Sequence, residues 1–144
     1  MQVIVIGAGL AGSEAALWLA DRGVQVTLYD QKPQKFSPAH KSAGFAELIC
    51  SNSLKAERPD SASGLLKLEM KAMGSHLLTA AETARVAAGG ALAVDRDVFS
   101  AAVTEMVESH PNITVRREEV TALDESAPVL VASGPLTEGA LAEA

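Results

Sequence analysis

Residues 2–6 (QVIVI) form an unbroken apolar, largely β-branched run, the pattern of a strand covered on both faces. A helical pattern takes over beyond residue 9 and lasts to Arg22. Within it Gly12, Ala16, Leu19 and Gly23 recur at helical spacing, which predicts a face packed on a sheet. Glu14, Asp21 and Arg22 fall off that face, and Trp18, the single tryptophan, lies on the side of Glu14 and Asp21. Gly23 suits the C′ position that ends a helix. In residues 24–29, Val24, Val26 and Leu28 alternate with Gln25, Thr27 and Tyr29, a second strand that leads into Asp30.

The pattern then lapses. Residues 31–63 hold Pro33, Pro38 and Pro59 with several serines and lysines, and read as a long inserted loop. The apolar stretch 45–54 (FAELICSNSL) inside it is not linker composition and predicts a short ordered segment packed on the domain. From residue 64 a helical stripe of Leu66, Met70, Met73 and Leu77 predicts core positions, with Gly74 dividing two helices. Residues 85–94 read as loop and strand, and Asp95 as the N-cap of a helix with Phe99, Ala102, Val103 and Met106 on its apolar face and Pro111 as its stop. Ile113 and Val115 begin a strand, residues 120–123 another, and residues 129–132 a buried one running into Ser133-Gly134-Pro135. The last residues look like the start of a helix. Strands alternating with helices predict an α/β fold with a mostly parallel sheet.

The junction of the first strand and helix carries the most chemistry. Residues 7–12 read GAGLAG, so Gly7, Gly9 and Gly12 stand in GxGxxG spacing between a strand and a helix, with Asp30 18 residues past Gly12. In this arrangement the first glycine makes the turn, the second lets a pyrophosphate approach the backbone, and the third lets helix and sheet pack closely. The turn residues 7–12, which also include Ala8, Leu10 and Ala11, then present backbone N–H groups and a helix N-terminus to the phosphates. A carboxylate at Asp30 suits a ribose 2′-hydroxyl and repels a 2′-phosphate. A glycine-rich turn in another α/β unit is the plainer alternative; the strand, helix and acid around the motif favour a Rossmann-like dinucleotide-binding domain. Ligands of open parallel sheets lie at the carboxyl ends of the strands, so Gly7, Asp30, Ser133 and Gly134 are expected at one crevice.

Composition narrows this little further. A chain of 144 residues, 48% hydrophobic and 21% charged, is one globular domain with a core of its own. No apolar run reaches membrane-spanning length, and no basic region precedes the first apolar run, so neither a membrane helix nor a secretory signal is expected. The lone Cys50 permits no internal disulfide, and His40, His76 and His110 lie far apart in the chain, which gives a metal site no support. A cytoplasmic setting follows as an expectation. The net charge is −6, yet residues 31–58 carry Lys32, Lys35, Lys41, Lys55 and Arg58 against two acids. That basic loop is either a solvated face or a contact for a phosphate backbone.

Six blocks in order, GAGLAGSEAA (7–16), SPAH (37–40), FAELICSNSL (45–54), GLLK (64–67), GGALAVDR (89–96) and SGPLT (133–137), resemble the N-terminal part of the folate- and FAD-dependent tRNA (uracil-5-)-methyltransferase family, TrmFO, once called Gid. The resemblance implies a flavoprotein that forms 5-methyluridine in the T loop of tRNA. Its carbon would come from 5,10-methylenetetrahydrofolate, with FAD as the reductant once reduced by NAD(P)H. Carried onto this chain, Gly7, Gly9 and Gly12 would bind the FAD pyrophosphate, Asp30 its ribose, and Ser133 and Gly134 would lie near the flavin. Cys50 matches a family cysteine; uracil C5 becomes nucleophilic after a thiolate adds at C6, so a reactive thiol is required. From the residues alone, a single Cys after an apolar run reads as an inert buried thiol. Ala87 stands where the family shows proline and Ser133 where it shows threonine. Family members are also much longer and carry a second cysteine in their later half, which the resemblance makes the stronger nucleophile candidate, with Cys50 matching a cysteine that acts near the flavin. These residues are therefore expected to be a fragment that does not catalyse methyl transfer alone. Other readings are a related FAD-dependent enzyme of tRNA wobble uridines, another flavin oxidoreductase, and a non-catalytic residual nucleotide-binding module.

Overall fold

The computed structural model describes residues 1–144. Its main sheet has the order β6-β2-β1-β7, with β1 (Gln2–Ile6), β2 (Gln25–Tyr29), β6 (Ile113–Arg116) and β7 (Val129–Val131) all paired in parallel. β1 lies inside this sheet, with Val3 to Ile6 all buried, which explains its unbroken apolar sequence. A second, antiparallel sheet has the order β3-β5-β4, from β3 (Ser53–Ala56), β4 (Arg85–Val86) and β5 (Ala91–Val94). The fold is α/β with a parallel main sheet and this small antiparallel addition.

α1 (Leu10–Ala20) buries Gly12, Ser13, Ala16, Leu17 and Ala20. Its buried arc is rotated from the predicted stripe: Leu19 is only half-buried and Gly23 is exposed. The cause is that α1 is covered by the sheet on one side and by α3 (His76–Thr83) and α4 (Arg96–Ser109) on the other. The helix stops before Arg22 because Gly23, at φ +77°, turns the chain and its N–H returns to the Ala20 carbonyl at 3.0 Å. Arg22 instead lies over the Trp18 ring, 3.3 Å from its centroid. α4 begins as predicted: Asp95 Oδ1 accepts the Asp97 and Val98 N–H groups at 3.0 and 3.1 Å. Its buried stripe is Phe99, Val103 and Val107, with Ala102 and Met106 packed at its margins.

Four expectations need correction. The stripe through Leu66, Met70, Met73 and Leu77 is not core: Leu66 is 55% and Met73 66% exposed, and only Leu77 is buried. Gly74, at φ +78°, separates α2 (Ala62–Ala72) from α3, so a period counted through it joins two different helix faces. Residues 120–123 form no strand. β7 is a strand, but Leu130 and Val131 are 41% and 49% exposed because β7 is the last strand on its side of the sheet. Finally, His76 and His110, far apart in sequence, meet on one carboxylate. Asp21 Oδ2 lies 2.9 Å from His76 Nε2 and Asp21 Oδ1 lies 3.1 Å from His110 Nε2, tying the ends of three helices together.

No helix is long and apolar enough to cross a membrane. α3 gains a further tie to α1 through Glu14, whose carboxylate accepts the His76 and Leu77 N–H groups at 2.8 and 3.1 Å and also binds the Ser75 hydroxyl. A carboxylate at those unpaired donors offsets the positive end of the helix dipole.

Candidate dinucleotide site

The turn between β1 and α1 sits at the carboxyl end of the parallel sheet, where the chain must leave β1 and enter α1 within three residues. Gly7 makes this possible. Its φ is +101°, and an added Cβ would come within 2.6 Å of the Ala132 carbonyl oxygen and 2.7 Å of Ser133 Cα. The same crowding brings the end of β7, hence Ser133 and Gly134, against the turn. A Cβ on Gly12 would overlap the Gly7 carbonyl oxygen, so helix and turn are in van der Waals contact there. Gly9 is different: its φ is −75° and an added Cβ would meet nothing within 4 Å. Neither backbone conformation nor packing asks for glycine at position 9. What remains is the open space in front of it.

That space is a cavity of about 340 Å³. Gly7, Ala8, Gly9, Leu10 and Ala11 form its floor, Asp30 and Lys32 one wall, and Ser133, Gly134 and Thr137 the opposite one. Gly12 lies behind the floor as a packing residue. The N-terminus of α1 opens here with no side-chain cap and no acid in its first turn, whereas Ser61, Ser75 and Asp95 cap α2, α3 and α4. The unpaired N–H groups of that turn are what an anion would meet. Thr137 Oγ1 donates to Ser133 Oγ at 2.6 Å and lies 2.7 Å from the Gly134 carbonyl, which folds residues 133–137 into a compact edge of the cavity.

Asp30 is buried, and both its oxygens hold backbone: Oδ2 accepts the Ala8 N–H at 3.0 Å and Oδ1 the Lys32 N–H at 2.9 Å. An ionised carboxylate offers about four lone-pair positions, so two remain for ribose hydroxyls. Asp30 therefore braces the glycine turn as well as lining the cavity, a duty that its place in the sequence does not reveal.

Several lining residues carry no signal in the sequence that assigns them to the site. Ser37 Oγ lies 2.6 Å from His40 Nδ1, and both residues line the cavity together with Glu47. The SPAH block is the available signal, but loop composition alone gives it no task. Lys32 does not belong with the solvent-facing basic loop, a correction to its expected place: it is only 6% exposed, and its ammonium donates to the Gly44 carbonyl at 2.6 Å. Burial pushes its pKa down, opposed by the carboxylates of Asp30 and Glu47. Lys35 pairs with Glu119 at 2.6 Å and Arg58 with Asp60, leaving Lys41 and Lys55 as the exposed, unpaired cations of the segment.

The FAELICSNSL block explains itself structurally. Phe45 and Ala46 are fully buried, and the Ala46 N–H donates to the Ala8 carbonyl at 2.9 Å, so this stretch docks directly on the glycine turn. Its far end meets GGALAVDR, with the Val94 N–H donating to the Asn52 carbonyl at 2.9 Å. Cys50 is exposed, so the expectation that this thiol is buried is corrected. It does not line the cavity, although its neighbour Ile49 does.

A parallel sheet whose first strand enters an uncapped helix through a glycine turn, with an acid at the end of the next strand, defines a Rossmann-like dinucleotide-binding domain. The chain belongs to the glucose inhibited division protein A (GidA) family, whose model matches residues 2–140. It is 56% identical over 141 residues to a methylenetetrahydrofolate–tRNA-(uracil-5-)-methyltransferase TrmFO of Geobacter sulfurreducens, covering 98% of this chain and 32% of that protein. It is 55% identical over 142 residues to the protein of the same name from Aquifex aeolicus, covering 99% of this chain and again 32% of the relative. The chain thus spans about a third of the length of the curated relatives it matches. Among solved structures it is similar to the GidA-related protein from Thermus thermophilus, with 22% identity, a TM-score of 0.42, and coverage of 80% of this chain and 37% of that one.

Proposed function

We propose that residues 1–144 are the FAD-binding part of a methylenetetrahydrofolate–tRNA-(uracil-5-)-methyltransferase, with residues 31–63 as a long insertion that follows β2 and runs into the start of α2. The observation that carries the cofactor reading is Gly9, a glycine that no contact within the chain demands, facing an open cavity at a helix N-terminus. In this reading residues 7–11 receive the diphosphate, Gly12 keeps the helix close behind them, and Asp30 takes the ribose. Ser133 and Gly134 border the flavin. Bound flavin would supply the reducing equivalents for methyl formation on uridine in the tRNA T loop, with 5,10-methylenetetrahydrofolate as carbon donor and NAD(P)H as the source of electrons. The substrate assignment rests on the identity to TrmFO proteins across 98% of the chain.

Cys50 is the thiol of this chain that we assign to catalysis or tRNA contact near the flavin, beside the later family cysteine that is the stronger candidate for attack on the uridine. Its exposure, one residue from a side chain that lines the cavity, supports that role over a packing one. Solvated thiols are the accessible ones, and a nucleophile must be reachable. The exposed Lys41 and Lys55 are the cations of the loop best placed to meet an RNA backbone.

The direct test is a visible absorption spectrum of the purified chain after incubation with FAD and removal of free flavin by gel filtration. Retained flavin, displaced by excess ADP, supports the site. A colourless protein at saturating FAD, with circular dichroism showing it folded, overturns the reading.

A further inference from the structure

Four hydrogen bonds join three separate parts of the chain into a closed ring around the glycine turn. Asp30 Oδ2 accepts from the Ala8 N–H at 3.0 Å, and the Ala8 carbonyl accepts from the Ala46 N–H at 2.9 Å. Two residues back from Ala46, the Gly44 carbonyl accepts from Lys32 Nζ at 2.6 Å, and the Lys32 N–H returns to Asp30 Oδ1 at 2.9 Å. The segment 43–46 is gripped from outside as well. The Phe45 N–H donates to Thr104 Oγ1 at 2.9 Å, the Ser100 hydroxyl donates to the Phe45 carbonyl at 2.6 Å, and Arg117 donates to the Ala43 carbonyl at 2.6 Å. Ala46 holds φ +49° while fully buried, a conformation that an L-residue keeps only when its surroundings enforce it.

Lys32 matters to this ring for a second reason. The cavity is lined by Asp30, Glu47, Glu118, Glu119 and Glu138, and Lys32 is the only lysine or arginine among its lining residues. An entering diphosphate adds negative charge to a site already rich in carboxylates. The N-terminus of α1 offsets part of it, and Lys35 already pairs with Glu119; among the lining side chains themselves, a permanent positive charge comes only from Lys32. A buried ammonium that spends one of its three donors on Gly44 has donors left for a ligand.

The geometry points to Lys32 as a positioning residue and counter-charge of the dinucleotide site: its ammonium clamps residues 44–46 onto the glycine turn and supplies the positive side chain that a diphosphate requires in this cavity. This rests on the proposed dinucleotide site, and it concerns the adenosine diphosphate half shared by FAD and ADP. The charged groups facing the ammonium are Asp30 at the end of β2, Glu47 in the docked segment and Arg117 beyond β6, with the Tyr29 phenol on the same cavity wall.

The test compares ADP with adenosine on the 144-residue chain, in wild type, Lys32→Met and the control Lys71→Met, which alters an exposed lysine of α2. Loss of the clamp weakens both ligands; loss of the charge weakens ADP alone. Lys32→Met should therefore weaken ADP by roughly tenfold more than it weakens adenosine, as befits a charge-assisted contact, while Lys71→Met changes neither. Equal losses for ADP and adenosine overturn the counter-charge and leave Lys32 a clamp alone; no loss for either overturns both roles. Should Lys32→Met fail to fold, a pH titration of ADP affinity in wild type and Tyr29→Phe decides it. The affinity should fall in both proteins as pH rises through the alkaline range, at a pH below that at which an exposed lysine loses its proton, because binding favours the protonated amine. A profile that is flat in both proteins, or that Tyr29→Phe abolishes, overturns the inference. A wild type that binds neither ADP nor FAD sinks the dinucleotide site itself, which is a distinct outcome from a wild type that binds with Lys32 indifferent.

Discussion

The Asp30 carboxylate holds the Ala8 N–H at 3.0 Å, so the acid at the end of the second strand and the turn at the end of the first are one unit before any ligand arrives. Two backbone donors converge on this buried group. Asp30→Asn keeps its shape but can accept on one side only, leaving either Ala8 or Lys32 with an unsatisfied buried N–H. The expected cost is about 1–3 kcal/mol of stability, read as a lowered midpoint in urea denaturation. The same variant should also lose flavin affinity, because the turn that meets the diphosphate is no longer braced. Unchanged stability in Asp30→Asn would show that the brace contributes nothing.

The glycines separate by experiment. Gly12→Ala drives a methyl into the Gly7 carbonyl, a backbone atom that cannot step aside, and should cost roughly 1–3 kcal/mol. Gly9→Ala places its methyl in open space at an ordinary φ, so its stability should stay within about 0.5 kcal/mol of wild type. Flavin retention should move the other way round: Gly9→Val should bind none while remaining folded. Thermal melts with and without FAD distinguish the two classes; a Gly9→Val protein that keeps its flavin removes the diphosphate from this turn.

Local signals and long-range ones separate what the sequence reveals. The turn, α1 and the first two strands are legible because their signals are local: an apolar run, glycines at fixed offsets, an acid at a strand end. The N-cap at Asp95 is legible for the same reason. The burial of Lys32 is not, since it depends on residues 43–46 folding back over a charge twelve positions away, and lysine in a proline-rich loop reads as solvated. The meeting of His76 and His110 on Asp21 depends on three helix ends arriving at one place. Glu14, which the sequence marks only as lying off the packed face of α1, caps α3 in the folded chain.

The Asp21 cluster carries a pH dependence whose sign follows from its hydrogen bonds. The His110 ring beside Asp21 lowers the carboxyl pKa, and the charge of His76 acts in the same direction. A carboxylate with a depressed folded pKa contributes stability that is present above its unfolded value and lost as pH falls through the folded one. The stability difference between wild type and Asp21→Asn should therefore be complete above about pH 4 and close as the solution is made more acidic. Asp21 is 47% exposed, so solvent screening keeps the effect small. Urea midpoints of both proteins at several pH values measure it; a difference that persists unchanged in strong acid contradicts the assignment.

The apolar face of α2 supplies the last contrast. Met73 is 66% exposed and Phe99 is fully buried, although the sequence pattern places both on apolar faces. Truncating Phe99 removes a side chain packed against the central core and opens a cavity beneath α4, so Phe99→Ala should cost about 3–5 kcal/mol. Met73→Ala removes atoms that are mostly in water already and should cost no more than about 0.5 kcal/mol. Equilibrium unfolding of the two variants in parallel tests the placement of both helices at once. A large loss for Met73→Ala in the 144-residue chain would mean that the stripe through residues 66–77 is packed after all, and that the break at Gly74 does not turn it outward.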